Sequence, residues 1–478
     1  MQLTIKKYTP ISAFVFLVIA SNLILGDMNI NLMSFAIEYR KLIFILSGFL
    51  LYLFFLNGEE VKRITYVIFI LALFVLVFFI DMSNLRSLVI GASFVLNVAA
   101  ALIFSICLRR DLDNNIKYII WLTFFLLSIN LIISIIVHTA QYLNIVQPLD
   151  SIFSLHGRPI VIDGLIYRYS FLHAESTNFS LSIIALFPYF WTYLINLYQS
   201  KLVTWAFLTL ILSLAFFAIG SITLLISIFL ISFVHLIVEY RYRKGRLCAS
   251  FSTMILIMAI AVALPLGIAK SNNLISIYDK LNTVKALYDF QSIQDKSTVK
   301  TTDSYEESSK PVLSDGVSDG VSVAELQGKY PGISLVIISH ISSTIKWLEN
   351  EDLQKIFFGE GIGLYENMYS KYIDKWAQNE WNGIGLSRND GASLLLRLFV
   401  ETGVLGLSIF FIFWAIFIIM LFRTPHVGFK SSAITFSLVI PFVMFLRFPF
   451  YDEPIVWLTF ALVLSQILNT KKIRLKIL

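Results

Sequence analysis

Between Leu202 and Val238 the chain runs for 37 residues without an aspartate, glutamate, lysine or arginine. As a single α-helix this run would be about 56 Å long, whereas the hydrocarbon core of a bilayer is about 30 Å thick. We therefore divide the run at Gly220–Ser221 into two predicted membrane spans. Only 14% of all residues are charged and the mean hydropathy is +0.78. Such values are typical of a polytopic membrane protein and exclude an ordinary soluble domain.

Other apolar runs of about 20 residues recur along the whole sequence, and each is long enough to cross a bilayer as a helix. They lie near residues 10–26, 41–57, 64–80, 88–108, 117–139, 177–198, 250–269, 394–422, 430–448 and 454–470. Together with the divided run, they predict an all-α polytopic membrane protein with about 12 transmembrane helices.

The distribution of lysine and arginine predicts the side of the membrane that each connection faces, because cytoplasmic loops carry an excess of these residues. If both termini are cytoplasmic, the cytoplasmic segments hold 18 lysines and arginines and the short outer segments hold six. We therefore predict three regions. Residues 1–269 form transmembrane helices 1–9 with short loops, residues 270–393 form one large outer loop, and residues 394–478 form the last three helices and a basic cytoplasmic tail.

The large outer loop has two parts of different character. Its first part is rich in serine, threonine and aspartate, which predicts a flexible linker. The second part contains "ISLVIISHISSTIKWLEN", with apolar residues at helical spacing, and "FFGEGIGLYENMYSKYIDKW", a glycine-rich turn followed by an aromatic helix. We expect amphipathic helices that rest on the outer membrane surface or on the mouth of a cavity. His340, on the first of these helices, has no partner at metal-ligand spacing, which favours a structural or solvated role.

Polar side chains near the outer ends of the predicted spans are the candidates for function, because such groups are costly to keep at a membrane boundary. They are Arg158, Arg168, His173 and Glu175; Arg388, Asn389 and Asp390; Arg397 and Glu401; and Arg447, followed by Asp452 and Glu453, which could also form an ordinary solvated turn. Arg397 and Glu401 are four residues apart, so we predict that they pair on one helix face. A self-neutralising structural pair and a functional site both remain open.

Glu175 lies directly before Ser176, Thr177 and Asn178, any of which can cap the N-terminus of the next predicted helix. A helix N-terminus with an arginine such as Arg168 nearby is a favourable place for a phosphate. Glu175 would then be a carboxylate within reach of that phosphate, or simply a charge that complements the helix dipole.

Three segments resemble motifs of the O-antigen polymerase family, within the wider O-antigen ligase and polymerase group. "YRYSFLHAESTNFS" resembles an arginine followed by a polar helix start, with Ser176 where the family often has proline. "IFFGEGIGLYEN" resembles the family's Gly-x-Gly turn, and "RNDGASLLLRLFVETGVLG" resembles its polar step into a helix with E-x-G-x-x-G. The arginine that often follows a serine at the middle of the chain is absent, since Ile222 follows Ser221.

The resemblance implies a glycosyltransferase of lipopolysaccharide biosynthesis in the bacterial inner membrane. It would join oligosaccharide repeat units linked to undecaprenyl pyrophosphate at the periplasmic face, without a metal or other cofactor. The candidate general bases are Glu175, then Asp390, then Glu401. The candidate substrate-binding residues are Arg158, Arg168, His173, Arg388, Asn389, Arg397 and Arg447. The lipid bilayer is an expected partner, a chain-length regulator protein is left open as another, and no nucleic acid is expected.

Two alternatives remain open. An O-antigen ligase shares the topology but transfers the glycan to the lipid A core, and a well-placed catalytic histidine in the large loop would favour it. A transporter or lipid flippase would also have many spans, although the large outer loop and the lack of an internal repeat disfavour it.

Overall fold

The fold is described from a computed structural model of the chain. The structure describes residues 10–25, 29–32, 35–142, 160–162, 165–168, 176–193, 222–242, 335–373, 391, 393–424, 429–448, 451 and 453–469. Within these residues the chain is mainly helical, which confirms the predicted helical character, and two short antiparallel hairpins accompany the helices.

Five helices and one hairpin account for the described residues up to 142. The helices are α1 (Pro10–Ala20), α2 (Tyr39–Phe55), α3 (Gly58–Phe79), α4 (Leu85–Leu108) and α5 (Leu112–Tyr142). A π-helical turn, Ser21–Leu25, follows α1, and a 3₁₀ turn, Arg109–Asp111, joins α4 to α5. Strands β1 (Asn29–Leu32) and β2 (Phe35–Glu38) form the hairpin before α2, with Asn29 opposite Glu38.

The remaining described elements include a second hairpin, two short helices and six longer ones. Strands β3 (Ile160–Ile162) and β4 (Leu165–Arg168) form the hairpin. The helices are α6 (Ser176–Thr192), α7 (Ile222–Tyr242), α8 (Leu335–Asn350), α9 (Leu353–Phe358), α10 (Tyr365–Tyr372), α11 (Leu394–Arg423), α12 (Lys430–Arg447) and α13 (Pro454–Asn469).

Three helical stretches within the described residues are long and apolar enough to cross a membrane, namely Gly58–Phe79, Leu85–Ile129 and Leu394–Arg423. Little of the most apolar part of the first and third stretches is buried within the chain, and large side chains such as Phe69 and Phe413 are exposed. A surface of this kind fits hydrocarbon rather than water. The predicted spans at 250–269 and in the first half of the divided run lie outside the described residues.

Helix α4 lies at the centre of the packing, against α2, α3 and α13, while α6, α7 and α12 pack against one another. Helices α2 and α4 approach closely because Gly48 faces Ala100. A Cβ atom on Gly48 would lie 2.7 Å from the Ala100 Cβ. Small residues at such a crossing allow two backbones to come together, as is common in membrane helices. The Phe44 and Phe104 rings stack nearby, with centroids 5.4 Å apart.

At one end of this bundle Glu60 accepts hydrogen bonds from Arg109 at 2.9 Å and from Arg110 at 3.1 Å. Asn57 and Glu60 also form a capping box at the start of α3, which satisfies free amides of its first turn. The opposite end holds the α3–α4 turn, helices α8–α10 and the start of α11. We call it the site end, and its assignment to the outer face of the membrane stays a prediction.

The helices near the predicted site differ from the sequence prediction in two places. The predicted span 394–422 is interrupted, because Gly403 within α11 has non-helical dihedral angles of φ 64° and ψ −168°. About 20 residues follow the break, which is sufficient for one crossing. Helix α6 begins at Ser176, so Ser176, Thr177 and Asn178 all lie inside its first turn and not at the capping position before it.

Candidate functional site

Of the ten predicted site residues, the structure describes the side chains of Arg397 and Glu401. Arg168 ends strand β4 and Arg447 ends helix α12, and their backbones alone are described. The other predicted site residues lie outside the described residues: Arg158, His173, Glu175, Arg388, Asn389 and Asp390. Their assignment stays a prediction.

Arg397 and Glu401 form a buried ion pair, as their spacing predicts. The Arg397 Nε donates to Glu401 Oε1 at 3.0 Å, and both side chains are almost completely removed from the surface. Four residues of helix place the two groups on the same face, one turn apart. A buried charge without a partner would be strongly destabilising, so the pairing makes the burial possible.

Tyr451 joins this pair from the turn before α13. Its hydroxyl donates to Glu401 Oε2 at 3.0 Å and accepts from the Arg397 Nη2 at 3.5 Å. The Arg397 guanidinium also lies over the Tyr451 ring, 4.5 Å from its centroid, which is a cation–π arrangement. We call these three residues the triad. Both carboxylate oxygens of Glu401 therefore accept a hydrogen bond within it.

The tyrosine ring is itself held in place by aromatic neighbours. Phe94 of α4 contacts Tyr451 edge to face at a centroid distance of 5.7 Å, and Trp457 of α13 donates its Nε1–H to the Tyr451 carbonyl at 2.9 Å. The triad is thus assembled from α11 and the turn into α13, with α4 behind it.

A second buried ion pair lies two residues further along the same turn. Arg40, at the start of α2, donates from Nη2 to Glu453 Oε1 at 2.9 Å and from Nε to Glu38 Oε2 at 2.5 Å. Lys41 approaches the other oxygen of Glu38 at 3.1 Å. Arg40 and Glu453 are both buried. The two pairs, together with Glu38 and Lys41, bring three carboxylates and three cationic side chains to the site end, so the formal charges of these six groups cancel.

The break in α11 lies directly after Glu401 and is occupied by a glycine loop, residues 359–363. The positive φ at position 403 requires glycine, and a Cβ atom there would lie 2.3 Å from the Phe357 carbonyl oxygen. The break leaves carbonyls at the end of the first half of α11 without their helical donors. Glu360 N–H donates to the Val400 carbonyl at 2.8 Å, and Gly361 N–H donates to the Glu401 carbonyl at 3.0 Å. The loop therefore terminates the segment that carries the triad.

The same loop also reaches the α3–α4 turn. Ile362 N–H donates to the Phe79 carbonyl at 2.8 Å, and Gly363 packs against Ile90. Just beyond the loop, Arg86 of α4 forms an ion pair with Glu366 of α10. The sequence prediction of a glycine turn followed by a helix is confirmed here. The prediction did not identify α11 as the surface on which the turn docks.

Helices α8 to α10, residues 335–373, form a small layer above the break, which we call the loop module. Its core contains Trp347, Tyr365, Met368 and Tyr369, and these pack against Val400 of α11. His340 is buried in it, with its Nδ1 3.1 Å from the Tyr365 hydroxyl and its ring stacked 4.1 Å from the Tyr369 ring. This environment agrees with a structural role for His340, not with a solvated one.

A charged cluster secures the outer edge of the loop module. Lys371 at 2.5 Å and the Tyr372 hydroxyl at 2.7 Å both donate to Glu351 Oε1. The Lys371 ammonium, followed by the Tyr372 hydroxyl, lowers the pKa of the Glu351 carboxyl to about 2. Trp347 Nε1–H donates to Glu360 at 2.8 Å, which connects this edge to the glycine loop.

Sequence reasoning missed Arg40 and Tyr451 as members of the site end. It named Glu453 among the polar groups near the outer ends of the spans but left open an ordinary solvated turn, whereas Glu453 is buried. Arg40 was counted as an outer basic residue, and its partner Glu453 lies 413 positions away along the chain. Two signals were available in the sequence. Arg40 is a charged residue in the first turn of an apolar helix, and Tyr451 is an aromatic residue beside acidic ones just before Pro454.

Among the described residues, no group of three or more His, Cys, Asp or Glu side chains is arranged to hold a metal ion. Comparison with protein-family models, with curated proteins and with solved structures found no match for this chain.

Proposed function

We propose that this chain is a polysaccharide polymerase of the O-antigen type, with about 12 transmembrane helices. In this proposal it joins oligosaccharide repeat units linked to undecaprenyl pyrophosphate, at the periplasmic face of the bacterial inner membrane and with both termini cytoplasmic. The observation that carries the proposal is the triad of Arg397, Glu401 and Tyr451, a buried polar centre at one end of an apolar helical bundle. Ionisable groups kept in such a place are by default candidates for function.

The chemistry of the site end fits transfer from a lipid pyrophosphate. Arginine side chains stabilise the charge that develops on a leaving pyrophosphate, because their planar guanidinium binds phosphate oxygens in pairs. A carboxylate can take the proton of the accepting sugar hydroxyl as a general base. The hydroxyl oxygen then attacks the anomeric carbon of the donor, and the bond from that carbon to the pyrophosphate oxygen breaks.

The apolar helical bundle, with the loop module over one end, supports the same reaction. The exposed apolar surfaces of α3 and α11 suit a prenyl tail, and the loop module covers the end of the bundle where the triad lies. A cover of this kind excludes water from a glycosyl transfer, in which water would be a competing acceptor. Glu175 and Asp390 remain candidate bases alongside Glu401, and Arg168, Arg388 and Arg447 remain candidate pyrophosphate ligands.

The decisive experiment uses the purified full chain in lipid nanodiscs with an undecaprenyl-pyrophosphate-linked repeat unit as the only substrate. Polymerase activity predicts a ladder of lipid-linked products together with release of undecaprenyl pyrophosphate. Transfer only when lipid A core is added would identify a ligase instead. Absence of transfer, with movement of the lipid-linked unit across vesicles that contain the protein, would identify a flippase.

A further inference from the structure

We propose that Tyr451 is a catalytic residue that passes the proton of the accepting sugar hydroxyl to Glu401, an inference that rests on the proposed polymerase function. Glu401 has 0% of its surface exposed, whereas Tyr451 retains 9%. Glu401 is therefore closed to an acceptor hydroxyl, and in this proposal the proton reaches it through the tyrosine, whose hydroxyl lies against its Oε2. The tyrosine hydroxyl already donates to Glu401 Oε2 at 3.0 Å. The proton path from the surface to Glu401 therefore contains one intermediate oxygen.

The proton transfers balance within the triad. The acceptor hydroxyl gives its proton to the Tyr451 oxygen while the tyrosine gives its own proton to Glu401 Oε2. The acceptor oxygen forms its bond to the anomeric carbon as the bond to pyrophosphate breaks. Tyr451 ends the step unchanged, and Glu401 ends it as a neutral carboxylic acid. When the lipid pyrophosphate leaves, the proton returns to water by the same two oxygens.

Proton transfer through Tyr451 to Glu401 also changes the charge balance around Arg397 during the reaction. Before the transfer its charge is balanced by Glu401, at 3.0 Å. Protonation of Glu401 removes that negative charge, so the guanidinium becomes an uncompensated cation while negative charge develops on the leaving pyrophosphate. Electrostatic stabilisation that is stronger in the transition state than in the ground state is what accelerates a reaction.

The position of Tyr451 depends on the second ion pair. Glu453, two residues after the tyrosine, is bound by Arg40 at 2.9 Å, and this contact ties the turn to the start of α2. Arg40 and Glu453 are positioning residues in this scheme, because they act through the turn that presents the hydroxyl.

The test measures kcat and KM for polymerisation by the full chain in nanodiscs, in the parent and in Tyr451→Phe. This variant keeps the ring, which lies under the Arg397 guanidinium and contacts Phe94 edge to face, and removes only the hydroxyl. Loss of an acid–base group costs about 10²–10⁴-fold in rate. We expect a fall of that size in kcat with KM for the lipid-linked donor within about threefold, since the hydroxyl acts in the chemical step.

The matched control is Tyr52→Phe, which removes another hydrogen-bonded phenol hydroxyl, 2.8 Å from the Thr65 hydroxyl and away from the site end. It should leave kcat within about threefold, far short of the loss expected for an acid–base group. A double-mutant cycle that combines Tyr451→Phe with Glu401→Gln adds a sharper criterion. Two members of one relay are not additive, so the double variant should be no slower than the slower single variant. If the loss of kcat in the double variant equalled the product of the two single losses, the proposed relay would be overturned.

If Tyr451→Phe does not fold, as judged by thermal unfolding in detergent, a fluorinated tyrosine at position 451 replaces it. Fluorine keeps the hydroxyl and lowers the phenol pKa below its ordinary value of about 10. The alkaline limb of the kcat profile should then move to lower pH, and an unmoved profile would overturn the proposal. Full activity of Tyr451→Phe alongside an inactive Glu175→Gln would also overturn it. That last result would leave the polymerase function standing, whereas an inactive parent would refute the function itself.

Discussion

Replacing Gly403 by alanine should separate the glycine loop from the helix that carries Glu401. The residue has φ 64°, and the added Cβ would lie 2.3 Å from the Phe357 carbonyl oxygen and 2.7 Å from the Gly359 nitrogen. This combination of φ 64° and ψ −168° is essentially confined to glycine and costs a residue with a side chain roughly 1–3 kcal/mol. The clash cannot be relieved by a side-chain rotation, because the atoms it meets belong to the backbone.

The displacement of the loop adds the loss of two hydrogen bonds. These are the bonds from Glu360 N–H to the Val400 carbonyl and from Gly361 N–H to the Glu401 carbonyl. Each contributes about 0.5–1.5 kcal/mol net. With the backbone term, we expect the free energy of opening the loop to fall by about 2–6 kcal/mol. That change corresponds to hydrogen exchange faster by about 30-fold to roughly 20,000-fold.

The measurement is hydrogen exchange by mass spectrometry on peptides that contain residues 360–362, with the protein in nanodiscs. Gly58→Ala is the control, because a Cβ at Gly58 meets nothing within 4 Å and alanine favours the first turn of α3. It should leave exchange of the loop unchanged. Equal exchange in the parent and in Gly403→Ala would refute the idea that the loop depends on the break in α11.

Three further predictions follow from the loop module and the ends of the bundle. A single cysteine at Ser370 should react with an impermeant reagent from the outer side, and one at Asn114 only after the membrane is opened; the reverse pattern would invert the topology. Lys371 lowers the pKa of Glu351 from 4.5 to about 2, so its stabilisation is present above pH 4.5 and is lost as the pH falls toward 2. Pepsin should therefore cleave the module progressively faster over that range, and a Glu351→Gln variant should lack this pH dependence. Tryptophan at Ile345, which is exposed, should be quenched by brominated lipid, and an unquenched signal would place α8 away from the bilayer.

Local patterns in the sequence were sufficient for the helical character of the described residues and for one pair of the triad. Spacing of four residues predicted the Arg397–Glu401 contact because helix geometry alone brings such residues together. Glycines at 359, 361 and 363 predicted a turn, and all three have positive φ. These features depend only on residues that are close along the chain.

Contacts between distant segments had no comparable signal. Tyr451 lies 50 positions from Glu401, and Glu453 lies 413 positions from Arg40. Hydropathy predicted that the segments between them cross the membrane but did not predict which helices become neighbours. The break at Gly403 had a weak signal, an isolated glycine inside an apolar helix. Only the docked loop explains why the helix stops there.

Helix α8 illustrates a further limit on what hydropathy can predict. Its buried face carries Ser339, His340, Ser343 and Trp347, whereas Ile341 and Ile345 are exposed. In water this arrangement would be inverted, because burial of the isoleucines would be favoured. The polar face is satisfied internally, since Ser339 bonds to the Tyr369 hydroxyl at 2.8 Å and Ser343 to a backbone carbonyl at 2.7 Å. An apolar solvent beside the helix would remove the driving force to bury the isoleucines, so the predicted lipid contact would account for both faces. The helical period identifies two faces in such a segment, and only the packed structure identifies which of them meets the protein.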